Sequence, residues 1–282
     1  MALANASNSA ETASDRRLRV AIAGLGAVGL QIARKLADGL PGFELGAIAV
    51  RDRDAARRKL GPGHAETPIV DLHELERHAD VVVECAPAAI LREVVLPFVS
   101  AGKKAVVLSC GALLQNMVLV DTARVNNGQI IVPSGALLGL DAVSAAAEGQ
   151  IRSVRMTTRK PVTGLVGAPY LVSNNIDIQD IKEPLRIFSG TAREAAVGFP
   201  ANLNVAVALS LAGLGPDRTQ LDIWADPALN RNTHHIEVDA DSASFSMSIE
   251  NVPTDNPKTG RITALSVIAA LRRLRAPLRV GT

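Results

Sequence analysis

The chain has 282 residues, 48% hydrophobic and 21% charged, a balance that suits two folded domains and excludes disorder for the bulk. Lys and Arg number 30 against 28 Asp and Glu, leaving a dispersed +2, and aromatic residues make up only 2%. Those figures exclude a basic nucleic-acid surface and the stacking platform of a single-strand binder, and no apolar run approaches the roughly 18 residues of a membrane span.

Residues 1–17 are rich in Ala, Asn and Ser and lack an apolar stretch, so they are expected to form a disordered tail rather than a signal peptide. The two cysteines, Cys85 and Cys110, sit in apolar runs that read as strands, as reduced core thiols of a cytoplasmic protein would. From Leu18 the pattern becomes regular. Residues 18–23 form a short apolar run that suits a strand buried on both faces, and 28–37 carry helical spacing through Val28, Ile32, Ala33 and Leu36. Apolar runs at 45–50, 81–83, 105–108 and 130–132 predict further strands, with helices from Pro87 and over 113–123 between them. Strands alternating with helices imply right-handed crossovers and a parallel sheet.

After Ile151 the rhythm changes. Residues 153–158, 221–224, 235–238 and 245–249 alternate with period two, which predicts half-buried strands of a mixed or antiparallel sheet, with two clear helices near 203–211 and 262–274. The expected architecture is α/β: a dinucleotide-type parallel-sheet domain over 18–135, then an α+β domain over 136–282 whose last helix can pack back on the first.

Gly24-Leu25-Gly26-Ala27-Val28-Gly29 fits G-x-G-x-x-G between a predicted buried strand and a predicted helix. Gly24 permits a tight turn, Gly26 lets a pyrophosphate approach the backbone, and Gly29 lets helix and strand pack closely. With Ala27 and Val28 opening the helix, free N–H groups meet the phosphates, so a Rossmann-type domain binding NAD or NADP is expected. At the end of the second strand, where an acid would read the adenosine ribose, stands Arg51, followed by Asp52 and Arg53. An arginine there can pair with the 2′-phosphate of NADP.

Substrate-binding groups should come from the second domain. Arg159 and Lys160 close an alternating strand, and Lys258 lies in Asn256-Pro257-Lys258-Thr259-Gly260; these cations could clamp carboxylates, or they are surface charge. In Asn232-Thr233-His234-His235 the two histidines of one strand face opposite ways, so one at most enters a cleft; no ligand spacing for a metal surrounds them. Asn202 and Asn204 open a predicted helix as caps or as donors to a ligand amide. Ser134-Gly135-Ala136 closes the last parallel strand, where ligands of such sheets sit, and Cys110 lies at a similar strand end without an adjacent base.

Together these segments resemble the L-aspartate dehydrogenases. The resemblance rests on GLGAVG at 24–29, PSGALLGLDA at 133–142, TTRKP at 157–161, FPANLNVA at 199–206, ADPALNRNTHHIEV at 225–238 and NPKTG at 256–260. It implies oxidation of L-aspartate with NAD or NADP to iminoaspartate, which hydrolyses to oxaloacetate and ammonia, with the reverse amination and a role in NAD biosynthesis. It implies His234 as the catalytic residue, active in proton transfer and water activation, and Ala136 and Asn204 as contacts to the nicotinamide end. His235 stands where the family is expected to carry an acid, which keeps both histidines in play. A homodimer through the second sheet is the default expectation. Two alternatives compete: a dihydrodipicolinate reductase-like enzyme on another small dicarboxylate, and a dinucleotide sensor without catalysis.

Overall fold

The computed structural model describes residues 16–200, 203–254 and 260–281. Residues 1–15 of the expected tail, Asn202 and Lys258 lie outside the described residues. The first sheet begins with β1 (Leu18–Ala23), β2 (Phe43–Ala49) and β3 (Ile69–Val70), with α1 (Ala27–Ala37) and α2 (Arg53–Leu60) between them. It continues through β4 (Val81–Glu84), α3 (Leu91–Ser100), β5 (Lys104–Val107), α4 (Cys110–Leu114), α5 (Val118–Val125) and β6 (Gln129–Ile131). The six strands run parallel in the order β3-β2-β1-β4-β5-β6. The chain reverses its direction of winding between β1 and β4, and the crevice outside the carboxyl ends at such a switch is where ligands of these sheets bind. Ala21, Ile22, Val81, Val82, Val83 and Val106 are fully buried because helices cover both faces.

The expected continuous helix over 113–123 is instead α4 and α5. Asn116 donates its side-chain amide to the Ala112 carbonyl, the kind of local bond that competes with helix propagation and turns the chain.

The second sheet carries β7 (Ile151–Lys160), β8 (Leu185–Thr191), β9 (Thr219–Ala225), β10 (Thr233–Ala240) and β11 (Ser244–Glu250), in the order β11-β10-β7-β9-β8. It is mixed: β7 and β9 pair parallel and the rest antiparallel. Its core gathers Val154, Met156, Ile223, Ile236 and Val238 from one sheet face with Leu171, Ala195 and Leu209 from the helices α7 (Pro169–Ser173), α8 (Ala192–Gly198) and α9 (Asn204–Ala212), and with Phe199 just past the end of α8. More helix is present than the two segments read from periodicity. α6 (Leu140–Ala147) and α7 are short, and α8 announces itself by a capping box, in which Thr191 and Glu194 each satisfy the other's backbone N–H. The last helix, α10 (Ile262–Arg275), contributes Ala264, Val267 and Leu271 to the core of the first sheet, beside Ile32 and Leu36 of α1. That return strap holds the two sheets around a shared crevice.

Candidate active site

Two cavities open along the carboxyl ends of the first sheet and share Ala86 and Pro87. The larger, about 950 Å³, is lined by Gly24, Leu25, Gly26, Arg51, Asp52 and Arg53 among others. Gly24 has φ +93°, and a Cβ there would stand 2.5 Å from the Cys85 carbonyl oxygen. A Cβ on Gly29 would strike the Gly24 carbonyl, whereas one on Gly26 would meet nothing within 4 Å. The three glycines therefore do different work: a left-handed turn, a close contact of helix on loop, and an open approach for a ligand. α1 starts without a side-chain cap or an acid in its first turn, so its own first turn offers no anion to its N-terminal dipole. A dinucleotide's phosphates fit this cradle.

At the rim of the same cavity, Asp52 caps α2 by accepting from the Ala55 N–H at 2.8 Å, and Arg53 pairs with Asp71. Arg51 is exposed and faces the cavity with neither engagement. Asp71, His73 and Glu74 cluster as metal ligands could, yet Asp71 and Glu74 already close a capping box with the turn that follows.

The smaller cavity, about 480 Å³, lies between the two sheets. The first domain supplies Val28, Leu108, Cys110 and the Ser134-Gly135-Ala136 turn; the second supplies Lys160, Asn204, Asn232 and His234; α10 adds Thr263. Alternation on β7 puts Thr158 and Lys160 on the inner face, and the register pairs Thr158 directly with His234 of β10. His234 is 3% exposed, and its Nδ1 lies 3.1 Å from the Thr158 hydroxyl. Burial, and secondarily the Lys160 charge, push the imidazole down to about 3, so it is neutral at physiological pH. His235 lies on the opposite face, exposed, bonded through Nδ1 to Ser248 at 2.8 Å.

The cavity thus gathers Val28, Ala136, Asn204, Lys160 and His234 from the expected residues, while Gly24, Gly26 and Arg51 line its neighbour. Ala27 and Gly29 belong to the first turn of α1 beside them. The structure does not bring Arg159 into either cavity. It is out of phase with Lys160 on β7, pairs with Asp226 at 3.5 Å and lies over the Trp224 ring at 5.0 Å. Asn204 opens α9 and accepts the Gly111 N–H through Oδ1 at 3.1 Å, tying the second domain to the first.

Other contributors had fainter signals. Glu84, fully buried at the end of β4, accepts from the N–H groups of Leu108 and Ser109 and from the Ser109 hydroxyl. Burial raises its pKa against those bonds, and the carboxylate joins two strand ends that line the cavities. An acid ending a Val-Val-Val run was its only trace in the sequence. Asn251, after β11, donates to the Ala136 carbonyl at 2.9 Å and has no signal at all. Cys110 reaches the cavity, but burial, then the Glu84 charge, push its thiol up to about 12, which keeps it protonated and a poor nucleophile.

A parallel sheet with a glycine cradle at its switch point, facing a polar cavity from a second sheet, defines a two-domain nicotinamide-dependent oxidoreductase. Residues 24–133 match the model described as the NAD-binding domain of homoserine dehydrogenase, and residues 141–274 match the C-terminal domain of aspartate dehydrogenase. The chain is 61% identical to the L-aspartate dehydrogenase of Bradyrhizobium diazoefficiens over 96% of each chain. It is 57% identical to L-aspartate dehydrogenase 3 of Bordetella bronchiseptica, over 95% of this chain and 99% of that one. The crystal structure of aspartate dehydrogenase from Thermotoga maritima superposes with a TM-score of 0.72 at 24% identity, covering 94% of this chain and all of the other, which shows the shared fold. The chain belongs to the L-aspartate dehydrogenase family.

Proposed function

We propose that the protein oxidises L-aspartate with NAD or NADP to iminoaspartate, which takes up water to give oxaloacetate and ammonia, and that it catalyses the reverse amination. The observation that carries this reading is the joining of His234 and Lys160, both 3% exposed, to the glycine cradle through adjoining cavities. The dinucleotide supplies a hydride acceptor in its nicotinamide ring. Residues 18–135 hold it at the phosphates through Gly24, Gly26, Ala27, Val28 and Gly29, and Ala136 and Asn204 meet the far ring from the start of the second domain and from α9. Residues 136–282 hold the substrate.

Lys160, which lines the cavity, is assigned to one carboxylate of the substrate, and Lys258 to the other on the strength of the family motif. Arg159, tied to Asp226 and Trp224, has no such part. His234, which lines the cavity, is assigned as the catalytic residue that would meet the substituents of the reacting carbon. Confining aspartate between these groups fixes its Cα–H toward the cofactor and turns an encounter of two molecules into a single oriented step. Arg51 is assigned to the 2′-phosphate of NADP, with NAD also accepted.

The protein is further assigned to the cytoplasm and to a homodimer. The face of the second sheet opposite its helices, bearing Arg155, Thr157, His235 and Glu237, is the surface for the second copy. Among the described residues, no helix is long and apolar enough to cross a membrane. The deciding assay mixes purified protein with NAD+ or NADP+ and a panel of amino and hydroxy acids while following reduced nicotinamide. Reduction with L-aspartate above all others is expected; reduction with another acid, or with none, contradicts the reading.

A further inference from the structure

The hydroxyl of Thr158 has one hydrogen-bond partner among the described residues, the Nδ1 of His234. Thr158 is 0% exposed, so bulk solvent does not reach it. Two arrangements fit the 3.1 Å contact. If Nδ1–H donated to Thr158, the threonine's own proton would have no acceptor, and burying an unsatisfied hydroxyl costs about 1–3 kcal/mol. If the hydroxyl donates to Nδ1, its proton is satisfied and the ring must carry its single proton on Nε2. Among the described residues no side chain holds Nε2, nor is that atom sealed away from the cavity His234 lines. Lys160, two residues along β7 from Thr158, adds a positive charge that disfavours a second proton on the ring.

We propose that Thr158 fixes His234 as the Nε2–H tautomer, so that the resting imidazole offers the substrate a hydrogen-bond donor and not a lone pair. This rests on the reading of His234 as the catalytic residue and replaces the base role that the sequence suggested. The partner is an oxygen of the substrate: a carboxylate oxygen, or the hydroxyl that water adds to the imine carbon. In the amination direction that hydroxyl oxygen begins as the ketone oxygen of oxaloacetate, and there a neutral donor stabilises the negative charge that grows as ammonia adds to the carbonyl carbon, without exchanging a proton. Thr158 is then a positioning residue. A carboxylate in its place would raise the basicity of the ring, whereas a hydroxyl orients it and leaves it neutral.

The test uses the full chain with NAD+ bound and its histidines labelled with nitrogen-15. The ring signals of His234 are identified by their loss in His234→Gln. A protonated Nε2 with a bare, hydrogen-bonded Nδ1 is expected; a protonated Nδ1 with a bare Nε2 overturns the proposal. Kinetics give a second, independent reading. Glutamine can place an amide N–H near the Nε2 position but cannot act as a base. His234→Gln should therefore keep turnover at least about tenfold above His234→Ala, since one lost transition-state donor costs about 10²–10³. Equal loss in both overturns the donor role. Thr158→Val should lower kcat with little change in the KM for NAD+ and give a mixture of ring tautomers, while Thr158→Ser restores both; a serine variant as impaired as valine contradicts the positioning role. Inactivity of the wild type with L-aspartate would sink the proposed function and leave the tautomer measurement standing.

Discussion

The two sheets meet at one crevice but contribute to it in different currencies. The first offers backbone and space: a glycine turn, an uncapped helix start and a cavity with few fixed side chains. The second offers side chains held rigidly by cross-strand register, with Thr158 and His234 opposite one another and Lys160 on the same inner face. A cofactor shared by many enzymes is bound by parts that vary little, while the substrate is read by a few buried polar groups whose spacing a strand pair determines. The contrast makes separable predictions, because damage to one sheet should fall on cofactor binding and damage to the other on turnover.

The largest effect is expected from His234→Ala, which should lower kcat by about 10²–10³ while NAD+ affinity, measured by calorimetry, stays close to wild type. Comparable loss of NAD+ binding would erase the division between the sheets. Next comes Gly29→Ala, whose added Cβ strikes the Gly24 carbonyl. The loop must move, so thermal unfolding should show about 1–3 kcal/mol of destabilisation together with weakened NAD+ binding. A variant with normal affinity would show that the cradle tolerates a shift that its geometry forbids. Arg51→Asp should cut the ratio of kcat/KM for NADP+ over NAD+ by about 10–100-fold, the worth of a lost charge-assisted bond plus a new repulsion. An unchanged ratio would remove Arg51 from the ribose. The smallest effect belongs to His235→Ala, one residue from the catalytic histidine but on the exposed face, which should leave turnover within about a factor of two. A large loss there would mean that the wrong histidine has been assigned.

How much of this was legible beforehand follows the same division. The strands β1, β4 and β5 are short and mainly apolar, and the glycine motif between β1 and α1 has a fixed spacing, so the cofactor half could be read from local pattern. In the second half, alternation along β7 and β10 told which residues share a face but not which strands are neighbours. It was the pairing of His234 with Thr158 that separated the two histidines. Arg159 and Lys160 looked equivalent as adjacent cations, yet the two-residue repeat of the strand sends one toward Trp224 and the other into the cavity. Glu84 and Asn251 act through contacts far apart in sequence, with Ser109 and Ala136; only its place at the end of a Val-Val-Val run marks Glu84, and nothing local marks Asn251. The short helices α6 and α7 fall below the length at which periodicity speaks, and α8 was not expected although Thr191 and Glu194 stand at capping-box spacing at its start.

The most direct test follows a labelled hydrogen. L-aspartate carrying deuterium at Cα, incubated with the enzyme and NAD+, should yield reduced cofactor with one deuterium at C4 of the nicotinamide ring, read by mass spectrometry and proton NMR. Reduced cofactor without that deuterium, or none formed at all, would contradict the claim that this crevice holds the Cα–H of aspartate against the nicotinamide.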